Sequence, residues 1–279
     1  MKKKELELHK QGYLPGDQET LPAFQKRIAK LQSFSKNPFL SLKEQNFTEP
    51  FSLKEKVPDH HWDWPKKTLE KNFDFSPFSN TAFFSDEKLF FWQGAQAWIL
   101  EEKGIVMLQL RKKFKKGNFG IYSKEEILAH EAVHSFRASL KDSFFEEIFA
   151  YATSSSKFRR VFGPMLQNTK EVLLFLFPLL LLWGSLAFPI LSSFSWLALG
   201  GVLGFFLFRL AYFRKIFRNA YKNLKEFFPK INPWFILVRL EGEEIQDLSG
   251  MTFEEFSNYS KKKISSSLRW QMIRDTYFT

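Results

Sequence analysis

Apolar positions along the chain follow three different rules. Between residues 80 and 110 they come in short runs with the length and spacing of strands: Thr81-Ala82-Phe83-Phe84, Leu89-Phe90-Phe91-Trp92, Ala97-Trp98-Ile99-Leu100 and Ile105-Val106-Met107-Leu108. Glu102-Lys103-Gly104 reads as a hairpin turn between the last two. Between residues 122 and 151 the spacing becomes helical. Ile127, Leu128, Ala132, Val133 and Phe136 supply apolar faces, and neither Gly nor Pro interrupts. Ser123 with Glu126 has capping-box spacing at the start, and Ser143 with Glu146 repeats it at the head of a second helix. From residue 172 to 208 there is no charge at all. That run is too long for one ordinary membrane helix and suits two short ones, with Pro189-Ile190-Leu191-Ser192-Ser193 as the break. The pattern predicts helices over 171–188 and 193–213 joined by a tight turn. Pro178 is tolerated in such a helix, and Gly200, Gly201 and Gly204 give the second a small face for close contact.

The two ends are less regular. Residues 1–79 form an irregular and helical segment, with a turn at Leu14-Pro15-Gly16-Asp17 and an amphipathic helix over 20–31. A polar stretch over 33–58 follows, then a helix over 66–73. In the tail, Trp234-Phe235-Ile236-Leu237-Val238 reads as a strand, and Thr252 with Glu255 opens a helix running to about residue 272. The fold class is α+β, with a core over 80–165, an apolar helical hairpin over 171–213 and a basic tail over 214–279.

Charge sharpens the membrane reading. Forty-one Lys and Arg against 30 Asp and Glu give a formal net charge of +11. Much of the excess flanks the apolar run, with Lys157, Arg159, Arg160 and Lys170 before it and Arg209, Arg214, Lys215, Arg218, Lys222 and Lys225 after it. The turn between the two apolar helices carries none. By the positive-inside rule both soluble parts face the cytoplasm, and the basic flanks meet anionic lipid headgroups. No nucleic-acid-binding motif accompanies the charge, so nucleic acid is not an expected partner. The chain has no Cys, which removes disulfides and thiolate metal sites and fits a reducing compartment. The basic N-terminus is not followed by an apolar segment, so no signal peptide is expected.

The candidate chemistry lies in His130-Glu131-Ala132-Val133-His134. Residues four apart share a helix face, so both imidazoles can reach one metal ion, and Glu131 can act on a water held there. A third protein ligand is required. Leu140 stands where a third His would follow at metzincin spacing, and the remaining His are His9, His60 and His61. A carboxylate is the natural choice: Asp142, Glu146 or Glu147. Asp142 and Glu146 have local work at a helix N-terminus, and Glu147 has none. Arg137 shares the ligand face and reads either as an oxyanion or outer-shell group or as a structural ion pair. Tyr151, one turn past Glu147, reads either as a hydrogen-bond donor to substrate or as a packed ring. His60 and His61 are adjacent and diverge, which argues against a second paired site. Trp62 and Trp64 read as anchors to the domain or to headgroups.

H-E-x-x-H followed on the next helix by Glu147, with Ala150 three positions on, resembles the gluzincin class of zinc metallopeptidases. The resemblance covers residues 122–151. It implies a zincin-like domain, Zn2+ held by His130, His134 and Glu147, and Glu131 as general base in peptide hydrolysis. Glu146 is the alternative ligand. It also implies an edge strand beside the site that pairs with extended substrate, here placed at 92–97. Lys124, Glu125, Glu126 and Arg137 on the motif helix argue against intramembrane cleavage. Two other readings stay open: a non-enzymatic membrane adaptor in which the helix pair is structural, and a zinc hydrolase acting on a lipid or a non-peptide amide.

Overall fold

The computed structural model describes residues 3–36, 49–77, 81–100, 105–140, 144–188 and 191–278. Helices α1 (Lys3–Lys10) and α2 (Leu21–Lys36) lead to a 3-10 turn (Asp59–Trp62) and α3 (Asp63–Phe73). A three-stranded sheet follows, built from β1 (Ala82–Phe84), β2 (Ala95–Leu100) and β3 (Ile105–Leu110) in the order β1-β3-β2. β1 runs parallel to β3 with Ala82 opposite Leu108, and β2 runs antiparallel with Ala97 opposite Leu108. The outer side of β1 is covered by residues 55–57, whereas β2 has no second partner strand among the described residues.

The alternation along β3 explains how the sheet is buried on both faces. Leu108 and Leu110 face the main core, while Met107 packs with Phe34 of α2, Phe51, Leu53 and Phe83 in a smaller one. Buried Gln109 sits among these apolar groups because it is satisfied: it accepts from Trp98 Nε1 at 2.8 Å and donates to the carbonyl of Glu87 at 2.7 Å. The run 89–92, expected as a strand, is turn and irregular chain instead. It has no partner strand among the described residues, and Phe90 stacks on Trp92 at 4.8 Å. The expected turn at 102–104 lies outside the described residues, as do Asp142, Ser143 and the Pro189-Ile190 break.

After the small ribbon β4 (Asn118–Phe119) and β5 (Tyr122–Ser123) comes α4 (Lys124–Arg137), which carries the H-E-x-x-H, and then α5 (Phe144–Ala152). α6 (Lys157–Phe162) and a 3-10 turn (Gly163–Met165) lead to α7 (Thr169–Gly184), which packs along α8 (Leu191–Phe227). α8 is long and apolar enough to cross a membrane. α7 has 16 residues, a rise of about 24 Å against a hydrocarbon core of about 30 Å, so alone it falls short of the expected second span. The expected end of the second apolar helix at 213 is not an end: α8 continues to Phe227, and Leu210, Ile216, Phe217, Ala220 and Leu224 enter the main core.

The tail is helical: α9 (Pro233–Leu237), α10 (Gly242–Leu248), α11 (Phe253–Ser266) and α12 (Leu268–Tyr277). The strand expected at 234–238 is corrected to α9, because Asn232 caps the helix and Pro233 suits its first turn. The helix expected over 252–272 breaks at Ser267, which is extended. That break lets Trp270 and Ile273 turn into the core alongside Phe256. The tail is therefore part of one continuous core with the sheet and α4.

Candidate metal centre

α4 begins where the sequence says it should. Ser123 Oγ accepts from the Glu126 backbone N–H at 3.2 Å. The capping box does not close, because the Glu126 carboxylate is used elsewhere. It accepts from Ser155 N at 2.7 Å and from the Ser155 hydroxyl, and it pairs with Arg159. Glu126 thus ties the start of α4 to the chain leaving α5, which fixes the two helices that carry the site.

His130 and His134 stand one turn apart with their Nε2 atoms 3.2 Å from each other. Glu147 faces both from α5, with Oε2 3.7 Å from His130 Nε2 and Oε1 3.5 Å from His134 Nε2. Tetrahedral zinc with ligand bonds near 2.0–2.1 Å separates its donor atoms by about 3.4 Å. The three donors have the chemistry and the spacing of one face of such a tetrahedron, and among the described residues they are the one group placed to hold a metal ion.

The other nitrogens are fixed from outside, which is how imidazole ligands are aimed. His134 Nδ1 is 2.6 Å from Glu146 Oε1, and His130 donates to the backbone carbonyl of Ala150. Glu146, the alternative ligand, is placed behind His134, on the side away from His130 and Glu147. Consecutive residues of α5 therefore take different roles: Glu147 faces both Nε2 atoms, and Glu146 reaches only Nδ1.

Glu131 is buried, accepts from the backbone N–H of Ala97 in β2, and lines a cleft of about 260 Å3. The same cleft is lined by His130, Glu147 and Tyr151, by Gly94 and Ala95 at the open edge of the sheet, and by Leu166 to Val172 at the base of α7. The edge strand expected at 92–97 is β2 itself, three residues further on.

The charge balance of the site is one-sided. Burial drives the Glu147 carboxyl up to about 7, with Glu131 and Glu146 adding to the rise and His134 opposing it. Burial also raises Glu131. Burial pulls His134 down, but Glu147, Glu146 and Glu131 outweigh it and lift the imidazole to about 10. Burial, then the neighbouring His134, holds His130 well below its usual range. Glu131 and Glu147 share the cleft with Glu126 and Arg159, and the chief charges acting on these two are His134 and neighbouring acids.

Tyr151 presents its ring edge-on to His130 at 4.7 Å and hydrogen-bonds with Tyr122; burial pushes its phenol up. Its ring lies flat against Gly163, where an added Cβ would come within 2.3 Å of Cδ1. Arg137 does not face the donors. It is fully buried, donates to the carbonyls of Val238 and Leu240 at 2.7 and 3.0 Å, and lies over the Phe149 ring at 4.7 Å. It therefore anchors the motif helix to the tail, through backbone carbonyls rather than through the carboxylate of the second helix that an ion pair would have used. The side chains of His60 and His61, expected to diverge, instead bring their rings within 4.0 Å at a tilt of 49° in the 3-10 turn, and His61 Nδ1 is 3.6 Å from Glu125. Trp62 is buried in the main core and Trp64 is exposed.

Sequence reasoning missed the Ala150 carbonyl, the Glu126–Arg159 buttress and the cleft wall at 166–172. The first has no side-chain signature, the second joins residues 33 positions apart, and the third depends on how α7 folds back against α4 and α5. No protein-family model, no curated protein and no solved structure matches this chain, so what connects it to any class is the motif and the geometry around it.

Proposed function

We propose that the chain is a membrane-anchored, zinc-dependent metallopeptidase. The observation that carries this is the facing set of His130 Nε2, His134 Nε2 and Glu147 at 3.2–3.7 Å, with Glu131 beside it on an open cleft. A structural ion has no use for a further acid next to its ligands or for a cleft leading to them. Zinc held there would supply a Lewis acid that polarises a carbonyl and acidifies a water. Glu131 takes the proton at its carboxylate and returns it to the departing amine. Glu146 and the Ala150 carbonyl keep the imidazoles turned inward, and Tyr151 closes the cleft beside His130. In this reading the domain is zincin-like, α7 and α8 form a membrane hairpin, and the basic flanks hold the soluble parts on the cytoplasmic side.

The test is zinc content per chain of the detergent-purified protein together with hydrolysis of a fluorescent casein. Near one zinc in the wild type, lost in His134→Ala and Glu147→Ala, with cleavage lost in Glu131→Gln, supports the reading. A folded chain that takes up no zinc leaves the adaptor. One that binds zinc but cleaves no polypeptide points to a lipid or a non-peptide amide.

A further inference from the structure

The apolar run ends at a sharp boundary. Residues 172–208 carry no charge, and the two charges that bracket them meet each other. Arg209 Nη1 and Nη2 lie 2.6 and 2.7 Å from the two oxygens of Glu171, and Nη2 also donates to the Met165 carbonyl at 3.0 Å. This fork marks where the helix pair leaves apolar surroundings. Five residues further along α8, Arg214 donates to the carbonyls of Arg160 and Val161 in α6. Five helical residues rise about 7.5 Å. The headgroup layer on each side of a bilayer is about 5–7 Å thick. α6 is thus pinned at headgroup depth if α8 spans.

α6 also lies across the helix pair. The segment from Lys157 to Met165 is bent by 90° from α7. Its exposed apolar residues are Phe158 (69% exposed), Val161 (43%) and Phe162 (40%). Spaced i, i+3, i+4, they form one stripe. The Phe158 and Phe162 rings pack at 4.9 Å, so the stripe is continuous. Arg159 is turned inward to Glu126 and to the Ile121 carbonyl, while Lys157 flanks the stripe, Arg160 lies beside it with Nη1 on the carbonyls of Ser154 and Ser155, and no acid lies on the helix. Two neighbouring elements add exposed apolar tips: Phe91, 80% exposed beside Trp92 of the cleft wall, and Ile121, 70% exposed beside Tyr122. Isolated exposed apolar residues need no explanation, but a stripe with basic flanks at a membrane helix does.

We propose that α6, with Phe91 and Ile121, is an interfacial platform. It lies in the headgroup layer of an anionic bilayer, with Phe158, Val161 and Phe162 reaching the hydrocarbon boundary and Lys157 and Arg160 on the phosphates. The cleft mouth, bordered by Arg159 and by the base of α7, is held at the membrane surface. A polypeptide bound in it would lie within the headgroup layer. The inference rests on the membrane anchorage proposed above and is independent of the zinc chemistry.

The absence of Cys makes the test direct. Phe91→Cys, Ile121→Cys and Phe158→Cys, each carrying a nitroxide, are reconstituted as full chains in phosphatidylcholine vesicles containing phosphatidylglycerol. Leu197→Cys on α8 and Lys262→Cys on α11 serve as lipid and water references. Collision with oxygen and with a water-soluble nickel chelate gives the depth of each label. The platform requires the three labels to fall between the references, shielded from nickel and shallower than residue 197. Nickel access equal to that at residue 262, with residue 197 still in lipid, overturns the platform and leaves the anchor standing. Nickel access at residue 197 overturns the anchor as well. Spin–spin coupling between copies at residue 158 overturns it in favour of a self-association surface.

Discussion

Two buried ionic clusters in this molecule are built on opposite principles. Around Arg269 the charges close on themselves. Its guanidinium donates to Glu244 at 2.6 Å and lies within 3.5 Å of Glu241 and Asp17, and Lys263 and Trp270 Nε1 complete Glu244 at 3.3 and 2.7 Å. Around His134 the charges do not close. Glu131, Glu146 and Glu147 gather on two imidazoles, and the chief charges acting on Glu131 and Glu147 are His134 and neighbouring acids. Burying carboxylates in excess is costly unless a cation or protons compensate. In the first cluster every acid has an Arg or Lys of the chain within 3.5 Å, and the cluster is structural. The second is completed from outside, by protons in the metal-free chain and by a metal ion in the proposed one.

That contrast is tested most severely at Glu131. Glu131→Gln removes the base without touching a donor, so casein hydrolysis should fall by about 10^2–10^4-fold while zinc content stays near one. A variant that cleaves at the wild-type rate would refute the mechanism. The matched cluster should respond oppositely. Glu244→Gln leaves buried Arg269 short of its partner and should cost about 3–5 kcal/mol by denaturant unfolding, with zinc per folded chain unchanged. A stable Glu244→Gln protein, or one that loses zinc while folded, would erase the distinction.

Smaller effects sharpen the same line. Glu146→Gln should weaken zinc binding by about 10–100-fold without abolishing it, because Glu146 only aims His134. Complete loss of zinc would make Glu146 a ligand. Gly163→Ala pushes a Cβ into the Tyr151 ring, so turnover should drop and stability should fall by about 1–3 kcal/mol, with zinc retained. The pH dependence follows from the protons that the metal displaces. With metal-free Glu147 at about 7 and His134 at about 10, binding releases protons, so affinity rises with pH. Zinc retention in dialysis should therefore decline as pH drops through about 7. Constant retention from about pH 8 to about pH 5 would mean that these groups are not ligands.

The sequence alone determined the features set by short-range chemistry. His130 and His134 share a face because a helix repeats every 3.6 residues, and Ser123 caps that helix because its hydroxyl meets an unpaired N–H. Strands β1, β2 and β3 were legible in their alternation, and α8 in its unbroken apolar run. The tertiary structure decided whatever depended on which distant groups meet. It separated Glu147 from Glu146 by the rotation of α5 against α4. It sent Arg137 away from the donors to Val238 and Leu240, about a hundred residues on. It withheld a partner strand from 89–92 among the described residues, because pairing and burial outweigh intrinsic propensity in so short a run. It extended α8 to Phe227, where the helix packs into the protein core while its backbone continues unchanged. Local spacing fixes periodicity and caps; contact between remote residues fixes which carboxylate faces the two imidazole Nε2 atoms and where the cleft opens.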